Sequence, residues 1–244
     1  MKKELCFVAF SLILAGCGEE SKTVSYETNA VTGDSCSSLQ ESSSSLEPLS
    51  SSEAVVSSSS KAEEIVYGTL YDSRNDKTYK TVVIGEGESA QEWMAENLNI
   101  KEVNKYGFCY DNQPYYCELY GMLYPWETAQ KMCPEGWRLP SKEDFEKLSE
   151  NMGNSFTEGT RLRSKEGWPH KDGTDNFGFN ALPAGYKLAS NDFRNMGEGA
   201  YFWTSSKSED GQGISFSLID TFDAESGGIT DSRFALSIRC LKDE

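Results

Sequence analysis

The aromatic-rich part of the chain contains the stretch Cys133-Pro134-Glu135-Gly136-Trp137-Arg138-Leu139-Pro140-Ser141. Its last residue is a typical helix N-cap, and Asp144 three residues later completes a variant of the capping box. One face of the following segment is apolar at helical spacing and consists of Phe145, Leu148 and Met152. Because glycine commonly ends a helix, the pattern predicts an amphipathic helix that begins after Ser141 and stops at Gly153.

The residues before this helix predict a second helix and a β-hairpin. Pro125 suits the first helical position, and apolar residues follow at helical spacing. These residues are Trp126, Ala129 and Cys133. The strand-like segments 67–71 and 80–84 flank the turn-rich segment 72–76, which predicts a hairpin.

Two later segments alternate between apolar and polar residues and therefore predict strands. The first has Ile214, Phe216 and Leu218 on one face, and the last strand has Phe234, Leu236, Ile238 and Cys240. Two helices combined with antiparallel strands place the domain in the α+β class.

The charge and composition of the chain exclude several functions. Its 244 residues include 23 lysines and arginines against 39 aspartates and glutamates, so the formal net charge is −16. Nucleic-acid binding needs a basic face, which makes a nucleic-acid partner unexpected. The single histidine, His170, lies in a polar loop and disfavours most histidine-based catalysis and most zinc sites.

Residues 1–16 resemble a bacterial lipoprotein signal peptide. A short positive segment, Met1-Lys2-Lys3, precedes an apolar run, and Leu14-Ala15-Gly16-Cys17 resembles the lipobox. The resemblance implies that Cys17 becomes the N-terminus and carries acyl chains such as palmitate, which anchor the protein in a lipid bilayer. Because Gly18, and not an aspartate, follows, we expect the outer membrane, with the protein at the cell surface.

Residues 17–64 are predicted to be a disordered, lipidated tether. From Ser35 to Ser60, 14 of 26 positions are serine. Such a segment cannot bury enough apolar surface to offset the entropy lost on ordering. We expect a plain spacer before a single folded domain at 65–244, with O-linked glycans on the serines as the alternative.

Four of the seven cysteines fall in the domain, at Cys109, Cys117, Cys133 and Cys240. Export favours disulfides, and four cysteines allow three connectivities. A Cys109–Cys117 bridge would close a turn-rich segment, whereas a Cys133–Cys240 bridge would tie an early helix to the last strand. A zinc site is disfavoured because no two of them are spaced as C-x-x-C. Cys36, in the tether, is left without a predicted partner.

The stretch at 133–140 and several other blocks resemble one family, the Fibrobacter succinogenes major paralogous domain of surface lipoproteins. The resemblance extends from Tyr67 to Cys240. The spacing from Trp126 to Ser141 also resembles the first half of a C-type lectin domain. The block 137–141 resembles part of the sulfatase-modifying, formylglycine-generating enzymes, a variant of the same fold. The other blocks of the family resemblance are 72–81, 93–99, 178–185, 201–206 and 237–240.

These resemblances imply a C-type-lectin-like domain in which Cys133 is bridged to Cys240. They do not by themselves imply the calcium-dependent sugar binding or the formylglycine reaction of those proteins. The calcium-binding strings Glu-Pro-Asn, Gln-Pro-Asp and Trp-Asn-Asp of sugar lectins are absent from the sequence. The formylglycine reaction needs two active-site thiols, and the domain cysteines are expected to be structural. The sequence therefore predicts no catalytic residue, no metal and no cofactor.

Aromatic and polar residues remain as candidates for ligand binding. We expect Trp168, Tyr186, Asp175 and Asn176 to contribute, because exposed rings stack on sugars and long loops often carry function. The alternative for the two rings is that they belong to the core. The acidic loop 172–176 could supply oxygen ligands for a structural calcium, but an ordinary turn is the favoured interpretation. Six more tyrosines fall within 19 residues, at Tyr106, Tyr110, Tyr115, Tyr116, Tyr120 and Tyr124.

The functional expectation is a non-catalytic surface lipoprotein that binds polysaccharide or another glycan. The alternative is an adhesin or scaffold module that recognises a surface protein. An enzyme ranks last because the sequence nominates no nucleophile, base or metal.

Overall fold

The computed structural model describes residues 64–100, 102–153, 158–170, 172–220 and 222–243. The predicted signal peptide, the predicted acylation site Cys17, Cys36 and the predicted tether up to residue 63 lie outside the described residues. Within the described ranges, we find no helix with the length and apolar character needed to cross a membrane.

The first of two sheets in this α+β fold is antiparallel and carries the predicted hairpin. Its strand order is β1-β2-β3-β12-β5 when strands are numbered along the chain. The strands are β1 (Tyr67–Asp72), β2 (Lys77–Ile84), β3 (Gln91–Met94), β5 (Trp137–Arg138) and β12 (Leu241–Lys242). The hairpin prediction is confirmed, although the second strand begins earlier than expected.

The second sheet is mixed, with the order β10-β9-β8-β6-β11-β4 and with β7 beside β6. Its strands are β4 (Tyr124–Pro125), β6 (Ala184–Lys187), β7 (Phe193–Met196), β8 (Gly199–Lys207), β9 (Gly213–Ile219), β10 (Phe222–Thr230) and β11 (Ala235–Leu236). The β6–β8 pair is parallel, and the other pairs are antiparallel. The predicted strand around Phe216 is confirmed as β9.

Four α-helices lie in the described part of the chain, namely α1 (Pro114–Tyr120), α2 (Trp126–Ala129), α3 (Lys142–Asn151) and α4 (Glu158–Leu162). The prediction of α3 is confirmed. Ser141 Oγ accepts a hydrogen bond from the backbone N–H of Asp144, whose carboxylate accepts one from the N–H of Ser141. The predicted apolar face is buried, and the Phe145 ring stacks on Phe216 with the ring centroids 4.4 Å apart.

The predicted helix from Pro125 to Cys133 is wrong in its length, because α2 has only four residues. Pro125 is extended and pairs with Ala235 in the second sheet. A residue that precedes proline is disfavoured in helical conformation, so Pro134 keeps Cys133 out of a helix. The side chain of Arg74 also donates a hydrogen bond to the carbonyl of Met132, at 2.8 Å, and so holds the chain after α2.

The prediction of one continuous last strand is also wrong. The segment from Ala235 to Leu241 is buried throughout instead of alternating. It starts as β11, between β6 and β4 of the second sheet, and ends as β12, between β3 and β5 of the first. Because the segment passes from one sheet to the other, both of its faces are covered.

Two disulfides connect the four domain cysteines. Cys109 is bonded to Cys117, and Cys133 is bonded to Cys240. The second bond joins the end of the buried segment to the connection after α2, which is the pairing that the resemblance implied.

Candidate functional site

A cleft of about 180 Å³ lies on the second sheet and is lined mainly by aromatic side chains. We call it the aromatic cleft. Strands β6, β8, β10 and β11, with the turn before β11, supply its lining. The lining residues are Tyr186, Tyr201, Thr230, Phe234 and Leu236.

Three rings form the apolar wall of the aromatic cleft. Tyr186 stacks on Phe234 with an interplanar angle of 12° and a centroid separation of 5.9 Å. Tyr201 meets Tyr186 edge to face, with the centroids 4.9 Å apart. Both arrangements are favourable for aromatic pairs and fix the orientation of the rings before a ligand arrives.

A glycine precedes Tyr186 in β6. Gly185 has a φ of +64°, a backbone conformation in which a side chain is strained. A Cβ atom at this position would also lie 2.3 Å from the carbonyl oxygen of Arg194 on the neighbouring strand. Glycine at this position therefore permits the close approach of β7 to β6 directly before Tyr186.

Hydrogen bonds with neighbouring side chains fix two of the polar groups that line the aromatic cleft. Asn195 Nδ2 donates a hydrogen bond of 2.8 Å to the Tyr201 hydroxyl. Desolvation raises the pKa of Tyr201, against the effect of this bond, so the phenol is neutral at physiological pH. The Thr230 and Ser215 hydroxyl oxygens are 2.9 Å apart, which orients Thr230 at the rim.

The described lining of the aromatic cleft combines aromatic rings, one aliphatic side chain and hydroxyl groups, and it includes no charged side chain. Aromatic faces contact the apolar C–H faces of a sugar or another small amphipathic molecule, and the hydroxyls of Tyr186, Tyr201 and Thr230 supply hydrogen bonds.

Of the four predicted ligand-binding residues, Tyr186 alone belongs to the described lining of the aromatic cleft. Trp168 is only 4% exposed, which agrees with the alternative that this ring belongs to the core. Its Nε1 donates to Ser164 Oγ, and the Arg163 guanidinium lies 5.0 Å from its ring centroid. Trp168 therefore packs in the core beneath the loop that follows α4.

Asp175 and Asn176 have structural contacts in the same loop. Asp175 is buried, and its carboxylate accepts a 2.7 Å hydrogen bond from the backbone N–H of Asn180. Burial raises the pKa of Asp175 against the opposing effects of that bond and of the nearby Arg239. Asn176 is exposed, and its backbone N–H donates to the carbonyl of Arg161. The two residues form a turn away from the lining of the aromatic cleft.

Arg239 is an important residue that the sequence analysis left without a role. It is fully buried, and its guanidinium donates to Asn97 Oδ1 and to the carbonyls of Met94, Phe179 and Asn180. Burial lowers the pKa of Arg239 to about 9, so it still carries its charge at neutral pH. The arginine joins three of the quoted sequence blocks, 93–99, 178–185 and 237–240, around a structural centre.

Within the described ranges, no group of three histidine, cysteine, aspartate or glutamate side chains could hold a metal ion. The candidate site is the aromatic cleft, which lies on the second sheet of an α+β domain with two disulfides.

Residues 88–242 match the family model of the Fibrobacter succinogenes major domain. Since the match covers more than half of the chain, the protein belongs to this family. The hairpin of β1 and β2 lies before the matched range, although it is part of the same sheet as β3. No curated protein and no solved structure matches the chain.

Proposed function

We propose that the protein is a non-catalytic lipoprotein of the outer membrane that binds glycans at the cell surface through the aromatic cleft. The observation that carries this proposal is the arrangement of Tyr186, Tyr201 and Phe234 around a concave, uncharged space. A neutral cleft with preoriented rings suits a neutral sugar, because stacking and hydroxyl hydrogen bonds together recognise it.

The proposal includes a C-type-lectin-like fold that is related to the sulfatase-modifying domain. Two features support it. The buried segment ends at Cys240, which is bonded to Cys133 as that fold requires. Helix α3 begins at the capping box next to the Trp137–Ser141 block and packs Phe145 on Phe216 of the second sheet.

The proposed location rests on the sequence of the N-terminal segment. The lipobox at Cys17 and the serine-rich segment after it would hold the domain away from the bilayer on an acylated tether. The membrane is thus the first proposed partner, and a polysaccharide is the second. Treatment of whole cells with protease tests this orientation, because only a surface-exposed domain is released from intact cells.

A binding measurement on the full chain, purified in detergent, tests the glycan proposal. We expect the wild type to bind neutral sugars on a broad glycan array. Substitution Tyr186→Ala should weaken that binding by at least about fivefold, since it removes the ring that contacts both other rings. Tyr186→Phe keeps the ring and should retain most of the affinity.

A matched control is Tyr71→Ala, which removes an exposed tyrosine from the first sheet. It should leave glycan binding unchanged. A wild-type chain that bound no glycan on the array, or a Tyr186→Ala variant that was folded and bound like the wild type, would contradict the proposal.

The second candidate is a protein-binding adhesin or scaffold, and one observation favours it. Strand β1 is at the edge of its sheet and carries the exposed side chains of Tyr67 and Tyr71. Such edges accept an added strand from another protein. Crosslinking on intact cells separates the two candidates, because free sugars should release a glycan but not a protein partner.

A further inference from the structure

We propose that helix α1 carries a second glycan-binding surface, which takes an extended, uncharged polysaccharide chain. This surface goes beyond the aromatic cleft and shares no residue with it. It consists of Tyr110, Tyr115, Tyr116, Tyr120 and Phe193, and we call it the tyrosine row.

The rings of the tyrosine row are in continuous contact. Tyr116 lies at the centre, with its ring centroid 5.8 Å from Tyr110, 5.7 Å from Tyr115 and 6.2 Å from Tyr120. Phe193 extends the row beyond Tyr110 at 5.0 Å. The row branches at Tyr116, and neighbouring rings are inclined to each other by 23° to 80°. It therefore offers ring faces and edges in several orientations, which can contact more than one sugar of the same chain.

Local covalent structure holds this surface in place. Pro114 occupies the first turn of α1, where its fixed φ is favourable. Tyr116 and Tyr120 are four residues apart and therefore share one face of the helix. The Cys109–Cys117 disulfide ties the buried side of the same helix to the segment before it. The rings are thus presented on a small, cross-linked platform.

The tyrosine row is open to solvent. Tyr115 is 66% exposed and Leu119, one turn further along the same helix, is 44% exposed. Tyr110, Tyr116 and Tyr120 are half-buried. In the part of the chain that the structure describes, the hydroxyls of Tyr115, Tyr116 and Tyr120 have no hydrogen-bond partner. Tyr115 therefore keeps most of its ring and its hydroxyl for a ligand, whereas Tyr110 and Tyr120 also pack against the core and expose only part of their rings.

The charge around the tyrosine row selects a neutral ligand. Residues 110–123 include Asp111 and Glu118, both exposed, and contain no lysine or arginine. Arg194, next to Phe193, is paired with Asp192 at 3.5 Å, so the charge that remains around the row is negative. A polyanionic chain would be repelled by these carboxylates, and a neutral polysaccharide would not. The extent of the row over five rings favours a polymer over a single sugar.

The tyrosine row and the aromatic cleft lie on opposite sides of strand β6. Tyr186 faces the aromatic cleft, and the next residue, Lys187, points to the other side. There the Lys187 Nζ is 4.3 Å from the centroid of the Phe108 ring. Phe108, Tyr110, Tyr120 and Phe193 all pack against one small cluster of Leu123, Ala184 and Ala235. One domain can therefore engage two polysaccharide segments at once, which strengthens binding to a surface by avidity.

Retention of the full chain, purified in detergent, on insoluble polysaccharides tests the proposal. The neutral probes are cellulose, chitin and starch granules, and the anionic probe is polygalacturonate. The double substitution Tyr115→Ala/Tyr116→Ala should reduce retention on the best neutral probe by at least about tenfold. Val83→Ala, which shortens an exposed side chain on the first sheet outside all the candidate surfaces, is the control and should be retained like the wild type.

The outcomes separate this proposal from the previous one. If Tyr186→Ala alone weakens binding of short soluble sugars and Tyr115→Ala/Tyr116→Ala alone weakens retention on the polymer, both surfaces are supported. If only the double variant weakens binding, the result supports the tyrosine row and contradicts glycan binding in the aromatic cleft. Retention of the folded double variant like the wild type would overturn the proposal. Tighter binding of polygalacturonate than of every neutral probe would do the same, as would no retention on any neutral probe.

Discussion

Arg239 shows how one charged side chain can organise the centre of a domain. Its hydrogen-bond partners in the described part of the chain are the oxygen atoms of one amide and three carbonyls, and the carboxylates of Asp175 and Glu96 act on it at longer range. The rings of Phe179 and Phe202 lie 4.7 Å and 5.5 Å from its guanidinium. Only a planar group with several donors can satisfy so many acceptors from one position.

Substitution Arg239→Leu should destabilise the fold by about 3–5 kcal/mol, because it leaves several buried acceptors without a donor. Urea unfolding followed by tryptophan fluorescence measures the change. The control is Arg233→Leu, since Arg233 is exposed and paired only with Asp231 at the surface. It should cost no more than about 1 kcal/mol. Equal losses in the free energy of unfolding for the two variants would contradict the stabilising role assigned to the hydrogen bonds of Arg239.

The candidate residues illustrate what could be predicted about the site. Tyr186 was predicted as a binding residue because it is an aromatic residue in the long middle region, and it does line the aromatic cleft. Trp168 had the same signal, but its contacts with Ser164 and Arg163 place it in the core. Composition cannot distinguish these two cases, because burial depends on what the rest of the chain packs against the ring.

At the scale of elements, helix α3 is held at its start by a capping box and an ion pair. Burial of the Asp144 carboxyl opposes ionisation, yet hydrogen bonds from Arg138 and from the backbone of Ser141 hold the pKa of Asp144 below its usual range. The Arg138 side chain reaches the same carboxylate with two nitrogen atoms. The helix N-terminus therefore depends on one ionised group.

Substitution Asp144→Asn should lower the free energy of unfolding at pH 7 by about 1–2 kcal/mol. The ionised form is favoured in the folded state, so its contribution is present above the ordinary pKa of the carboxyl and is lost as the pH falls through the lower, folded value. The difference between wild type and variant, measured by urea unfolding, should thus shrink below about pH 4. Glu146→Gln, in an exposed pair with Lys142 on the same helix, is the control and should change stability by less than about 0.5 kcal/mol. A difference that stayed constant down to pH 2 would contradict the assigned role.

Elements with a local cause were predictable, and those with a distant cause were not. The α3 helix and the β1–β2 hairpin follow from a capping box and from a turn between alternating segments. Pro134 keeps Cys133 out of a helix, but α2 already ends at Ala129, and the following chain is held by the distant side chain of Arg74. Helix α1 was missed because its exposed tyrosines give no apolar face at helical spacing. The last strand was wrongly predicted because its two ends pair with strands of different sheets.

For the whole molecule, the segment from β11 to β12 is the connection on which both sheets depend. Leu241 pairs with Trp93 and Arg138, and Ala235 pairs with Pro125 and Lys187. The Cys133–Cys240 disulfide fixes this segment across a sequence separation of 107 residues. The Cys109–Cys117 disulfide spans only 8 residues and stabilises α1 locally.

Removal of the long-range disulfide should have the larger effect on stability. The loop-entropy relation gives about 4–5 kcal/mol for Cys133→Ser/Cys240→Ser and about 2–3 kcal/mol for Cys109→Ser/Cys117→Ser. Thermal unfolding of the two double variants measures the difference. The short-loop variant serves as the control, and a smaller loss for the long-range pair than for the short-range pair would refute the expected order. In addition, the short-loop variant should weaken retention on neutral polysaccharide, since it loosens the tyrosine row.

The passage of residues 235–242 between the sheets also determines when the domain can close during synthesis. While these residues are still inside the ribosome, β3 and β5 lack the strand that separates them, and β6 and β4 lack theirs. At that stage the nascent chain would have two incomplete sheets, and Cys133 could not yet form its disulfide with Cys240. Closure of the two sheets is therefore expected as one late event, which requires residues 235–242.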